Sequence, residues 1–129
     1  MSGKIYREWF QKAEEDFQAA VILSRKRNPP LLNLVCFHSQ QAAEKYFKAY
    51  LSLKKILFPK THDLILLKNF CVKKDNAFEL IADLAISLNP YSVEFRYPGE
   101  RATRGDAKRA LSAVKEIRHF MLGKIKATD

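Results

Sequence analysis

Glycine and proline are scarce in this chain, at four and five of 129 residues. No repeat or low-complexity tract interrupts the sequence, which excludes a flexible linker between domains and a fibrous or disordered chain. There are only two cysteines, Cys36 and Cys71. They fall on or beside apolar helical faces without ligand-like spacing, so a disulfide scaffold is excluded and buried thiols in a reducing compartment are expected. No apolar run approaches the roughly 20 residues of a membrane span, and no N-terminal signal pattern is present. The expected location is the cytoplasm, with no membrane partner. Acids are short too: 14 Asp and Glu meet 23 Lys and Arg, for a formal charge of +9. That imbalance points to an anionic partner, either nucleic acid or an acidic protein surface.

With 47% hydrophobic residues in 129, the chain suits a single domain over residues 1–129 that buries its core without metal or disulfide. The stretch that organises the rest runs from Leu34 to Leu57. At 100° per residue, Val35, Cys36, Ala42, Ala43, Tyr46, Phe47, Ala49, Tyr50, Leu53 and Leu57 fill one broad arc, and His38, Gln41, Glu44, Lys45 and Lys48 fill the complementary one. So wide an apolar arc predicts a central helix touching at least two other elements. A first helix from about Lys4 to Arg27 precedes it and is stopped by Asn28-Pro29-Pro30. Thr61 is the expected N-cap of a shorter helix from about His62 to Lys73, with Asp63 in its first turn. A fourth helix is predicted over Ala77–Leu88 and a last one from near Asp106 to about Lys126. The expected fold is all-α, an up-down antiparallel helical bundle of three long and two shorter helices. Tyr46, Phe47 and Tyr50 widen the central arc enough to leave surface for a second copy, so a homodimer is expected.

Two charges break otherwise apolar arcs, Asp16 on the first helix and Arg118 on the last. They are expected to reach each other, or a shared polar network that includes Glu44 or Gln41. Asn89 to Gly105 has no period and reads as a long loop, and such loops in small domains tend to bind. It carries Arg96, Tyr97, Arg101 and Arg104 and leads into Lys108 and Arg109. From Arg96 to Lys126 nine Lys or Arg face three acids. Guanidinium and aromatic groups together can pair with phosphates and stack on bases, and they also anchor protein interfaces. His62 beside Asp63 at a helix start can offer an imidazole next to free backbone N–H groups, a place for a phosphate. The three histidines are dispersed, so no metal site is expected. No Gly-rich phosphate loop or nucleotide fingerprint occurs either, and no cofactor is expected.

Three segments carry a family likeness: HSQQAAEKYFKAYL from His38 to Leu51, THDL from Thr61 to Leu64, and RYP from Arg96 to Pro98. Together they resemble the prokaryotic stand-alone branch of the HEPN family, small helical proteins named for a proposed role in nucleotide binding. The resemblance implies a non-catalytic module that binds nucleotide or RNA, or serves as helical partner of a small nucleotidyltransferase, in a toxin-antitoxin-type or nucleotide-handling pair. The residues expected to meet ligand or partner are His62, Asp63, Arg96, Tyr97, Arg101, Arg104 and Arg118. Family members that cut RNA carry an Arg followed four to six residues later by a His, the Arg to hold phosphate and the His to move protons. None of His38, His62 and His119 has an Arg at that distance before it, and Arg118 and His119 are adjacent, about 100° apart on a helix. No catalytic residue is therefore assigned. The alternative reading is a metal-independent ribonuclease with a displaced site, Arg96 or Arg118 with His62 or His119, in a dimer cleft.

Overall fold

The structure, a computed structural model, describes residues 2–128. Five α-helices form it: α1 (Ser2–Ser24), α2 (Leu32–Leu53), α3 (Leu64–Lys74), α4 (Ala82–Leu88) and α5 (Arg104–Thr128). Short 3₁₀ segments at Asn76–Ile81 and Asn89–Ser92 flank α4. The all-α bundle of three long and two shorter helices is thus as the periodicity predicts. Thirteen of the 22 residues of α2 are buried, so it is the central wall, wrapped on nearly every side. The core gathers Phe47, Tyr50 and Leu51 of α2, Leu64, Leu67 and Cys71 of α3, Phe78, Leu88, and Val114, Ile117 and Met121 of α5. Tyr46 and Phe47 are fully buried and Tyr50 is nearly so within one chain. These aromatics therefore offer no face to a second copy, which removes the expected reason for a homodimer.

The polar arc of α2 is not a solvated face either. Glu44 and Lys48 are buried and bond each other at 2.9 Å, with Trp9 of α1 over the Lys48 ammonium at 5.2 Å. Helical periodicity orders side chains by polarity, but α1 and the segment before α3 cover both sides of this arc.

Several boundaries move for local reasons. α2 stops at Leu53 rather than Leu57, because Lys55 turns into the left-handed region at φ 59°. Ile56 N–H then donates to Leu51 O at 2.8 Å and Lys55 N–H to Ser52 O at 3.1 Å, a Schellman closure with lysine where glycine is usual. The connector runs back along α2, where buried Gln40 donates from Nε2 to the His62 carbonyl at 3.0 Å. Asp63, not Thr61, caps α3: its carboxylate accepts from Ile65 N–H at 2.9 Å and Leu66 N–H at 3.2 Å, while Thr61 Oγ1 accepts from Asp63 N–H. At α5, Thr103 and Asp106 cap reciprocally, Asp106 N–H to Thr103 Oγ1 at 3.0 Å and Thr103 N–H to Asp106 Oδ2 at 2.9 Å, so the helix begins at Arg104, two residues earlier than expected.

The expected Asp16–Arg118 pairing does not form. Arg118 instead forks onto Glu14, with Nε to Oε1 at 2.8 Å and Nη2 to Oε2 at 2.9 Å. Tyr46 donates its hydroxyl to the same Oε1 at 2.7 Å, and the guanidinium lies over the Phe17 ring at 4.8 Å. Asp16 turns the other way and accepts from His38 Nδ1 and Lys45 Nζ. Two residues on a helix are about 200° apart, so Glu14 and Asp16 face different neighbours.

Burial pushes the Glu14 carboxyl up, but the bonds from Arg118 and Tyr46 and the guanidinium charge outweigh it and hold the group below its ordinary 4.5. A depressed carboxyl contributes stability that is present above the unfolded-state value and lost as pH falls through the folded one. Glu14→Gln should therefore cost about 1–2 kcal/mol near neutral pH, with the gap to wild type closing as urea unfolding is repeated toward about pH 3. Lys55→Gly should raise stability by about 0.5–1 kcal/mol by relieving the left-handed backbone, read as a higher urea midpoint at unchanged slope.

Candidate functional site

The end of α1, the starts of α2 and α5, and the loop between the second 3₁₀ segment and α5 meet at one end of the bundle. Asn33 in the first turn of α2 pins that loop, its Oδ1 accepting from Ala102 N–H at 2.7 Å. Pro29 to Leu34 form one wall and Phe95 to Ala102 the other of an open groove of about 820 Å³. Inside the loop, Phe95 and Gly99 take positive φ of 65° and 91°, and Phe95 stacks on Tyr91 at 5.7 Å between centroids. Arg96 is steadied by its Nη2 bond to Ser92 O at 2.9 Å. The Tyr97 N–H bonds Glu100 Oε1 at 3.1 Å while its ring stays 72% exposed. Across Leu32 a smaller hollow of about 270 Å³ continues the groove, lined by Ser24, Arg104, Lys108 and Leu111.

The loop residues expected from sequence therefore share one site: Arg96, Tyr97 and Arg101 line the groove, and Arg104 lines the adjoining hollow. Arg25, Lys26 and Arg27 are exposed in the α1–α2 turn, in sequence between Ser24 of the hollow and Pro29 of the groove, and line neither. On sequence alone that basic run reads only as a helix stop; its signal is three consecutive cations just ahead of two prolines. The remaining candidates lie elsewhere. Arg118 is engaged by Glu14 in the middle of the bundle. His62 and Asp63 stand at the start of α3, beside Gln40 and Glu44 of α2. There the N–H donors expected to meet a phosphate are already engaged: Leu64 N–H by Asn89 Oδ1 at 2.8 Å, and the next two by Asp63.

The charge at the two ends of the bundle differs in kind. Asn33 at the start of α2 bonds Ala102 just ahead of α5, and Phe78 packs on both Tyr50 near the end of α2 and Phe120 late in α5, so α2 and α5 run parallel. Lys54, Lys55, Lys73, Lys74, Lys124 and Lys126 thus gather where α2, α3 and α5 end, and there they offset the negative ends of three helix dipoles. The arginines of the groove sit instead where α2 and α5 begin, adding cations to positive helix ends. The start of α2 has no side-chain cap and no acid in its first turn. Of the groove-lining side chains only Glu100 is acidic, and no histidine lines the groove or the hollow. This constellation can hold an anion. The cysteines are not part of it, since both are buried and unpaired and burial pushes the Cys36 thiol up to about 12.

A family model described as the HEPN domain matches residues 6–125. The chain belongs to the HEPN domain family. Two solved structures are similar to this HEPN chain. TT1696 from Thermus thermophilus aligns with a TM-score of 0.79 at 24% identity, covering 92% of this chain and 97% of that one. ST0689, an archaeal HEPN homologue, aligns with a TM-score of 0.70 at 23% identity, covering 93% and 97%. At such identities they show the fold. No curated protein matches. Among the described residues no helix is long and apolar enough to cross a membrane. Asn33→Ala should release the HEPN loop from α2 at a cost of about 1 kcal/mol, visible as faster amide exchange at Ala102 while the core amides of α2 keep their protection.

Proposed function

We propose that this HEPN protein is a binding module whose arginine-lined groove takes the phosphates of a nucleotide or RNA. Its setting is that of helical partner to a small nucleotidyltransferase, in a toxin-antitoxin-type or nucleotide-handling pair. One observation carries the reading: Arg96, Arg101, Arg104 and Lys108 converge on one groove system, with an exposed Tyr97 ring, at the positive ends of two helices. Arginine forks match phosphate oxygens two at a time, and the phenol ring can stack on a base. The opening is broad, which suits a strand lying across it better than a small molecule enclosed on all sides. Leu34, Phe37 and Val93 are exposed apolar side chains on the two segments that flank it. They are the surface that the transferase, or a second copy of this chain, would cover.

The test is fluorescence anisotropy with a short single-stranded RNA and with a labelled nucleotide, for wild type and Arg96→Ala/Arg101→Ala. The double variant should bind at least about tenfold more weakly, and the slope of log K against log salt should shrink by about 1.4 for two lost phosphate contacts. Unchanged affinity and slope would overturn the proposal, and metal-free cleavage of the RNA by wild type would replace it with the ribonuclease reading.

A further inference from the structure

Among the described residues five polar or charged side chains are buried: Ser39, Gln40, Glu44, Lys48 and Lys68. Three of them meet beneath a single residue. Glu44, only 2% exposed, accepts from His62 Nδ1 at 2.8 Å through one oxygen and from Lys48 Nζ at 2.9 Å through the other. Gln40, fully buried, holds the His62 carbonyl. The imidazole above them is 72% exposed.

Tethering the connector does not require this arrangement. A buried ion pair stabilises little more than apolar groups of the same volume, and often less. What it does achieve is orientation: a carboxylate on Nδ1 fixes both the ring plane and the proton on that nitrogen, leaving Nε2 as the atom turned to solvent. The charges nearby are mostly spoken for. Lys48 offsets Glu44, and Asp63 is turned into the N–H groups of α3. Lys60, two residues before the ring, is exposed and has no ion-pair partner among the described residues. A metal would need further donors, and no group of three or more His, Cys, Asp or Glu among the described residues is arranged to hold one. A ring whose Nδ1 is held by a carboxylate, with an exposed lysine two residues earlier in the chain, instead fits an oxyanion when the ring is the imidazolium.

We propose that His62, with Lys60, forms a second phosphate-binding point, for which Glu44 and Gln40 are positioning residues. It is separate from the arginine-lined groove: Gln40 lies six residues along α2 from Leu34, roughly 9 Å at 1.5 Å per residue. In the imidazolium form Nδ1–H stays on Glu44 and Nε2–H donates to one phosphate oxygen, belonging either to the terminal monoester of a nucleotide or to a backbone phosphodiester.

The experiment is nitrogen-15 imidazole NMR of the full chain, titrated with inorganic phosphate, with AMP and with a dinucleoside monophosphate. Wild type should show a saturable shift at His62 Nε2 and none at His119, an exposed histidine on another face. His62→Gln should weaken phosphate binding about tenfold. Glu44→Leu/Lys48→Met, which replaces the ion pair by apolar volume and should melt within a few degrees of wild type, should weaken it similarly and lose the fixed Nδ1–H signal. A stronger response to AMP assigns the monoester, and a stronger response to the dinucleotide assigns the backbone phosphate. Absence of a saturable shift at His62, or equal affinity in His62→Gln, would overturn the proposal. So would a double variant that keeps both affinity and tautomer, as regards Glu44. Because the groove is read by anisotropy in arginine variants, neither result bears on it.

Discussion

One carboxylate holds the three long helices in register. Glu14 receives both arms of Arg118 from α5 and the hydroxyl of Tyr46 from α2. α5 packs mainly on α2 and touches α1 far less, so apolar burial alone leaves the rotation and slide of α1 against α5 loosely determined. A bidentate fork tolerates little of either. The placement of Ser24 beside Arg104 and Lys108, and hence the hollow that extends the groove, depends on that alignment.

The second constraint is direction. Because the connector after α2 runs back along it, α3 starts beside the middle of α2 and runs the same way, and α4 returns so that Asn89 caps the start of α3. α5 then repeats the direction of α2. Three helices therefore end together and two begin together. This concentrates partial charge at the ends of the bundle, and the chain meets it with lysines at one end and arginines at the other. At the lysine end the two signs offset each other. At the arginine end they do not, and the uncapped start of α2 adds to its pull on an anion.

Much of this is legible in the sequence. The 3.6-residue period of α1, α2 and α5 reflects burial, which is what builds a helical bundle, and the words around Gln40, His62 and Arg96 identify the family. That Arg96, Tyr97, Arg101 and Arg104 lie close together is legible because they share one short aperiodic stretch between helices. Three things are not. The Arg118 partner stays hidden because Glu14 and Asp16 are both plausible acids on α1, and which faces α5 depends on the rotation of packed helices. The burial of Glu44 and Lys48 is hidden because polarity along α2 does not reveal what covers it. The meeting of Ser24 with Arg104 and Lys108 is hidden because it comes from tertiary packing.

By itself the sequence determined which segments are helical, that the core is apolar and shared by three long helices, and that positive charge is in excess. These are properties of periodicity and composition, set by short-range geometry and transfer from water. Only the tertiary structure decided which acid meets which base, where each helix stops when no glycine announces it, and which cations stand together. Those outcomes depend on the direction and rotation of whole helices, and a pairing between residues as far apart as Glu14 and Arg118 exists only once the helices that carry them have packed.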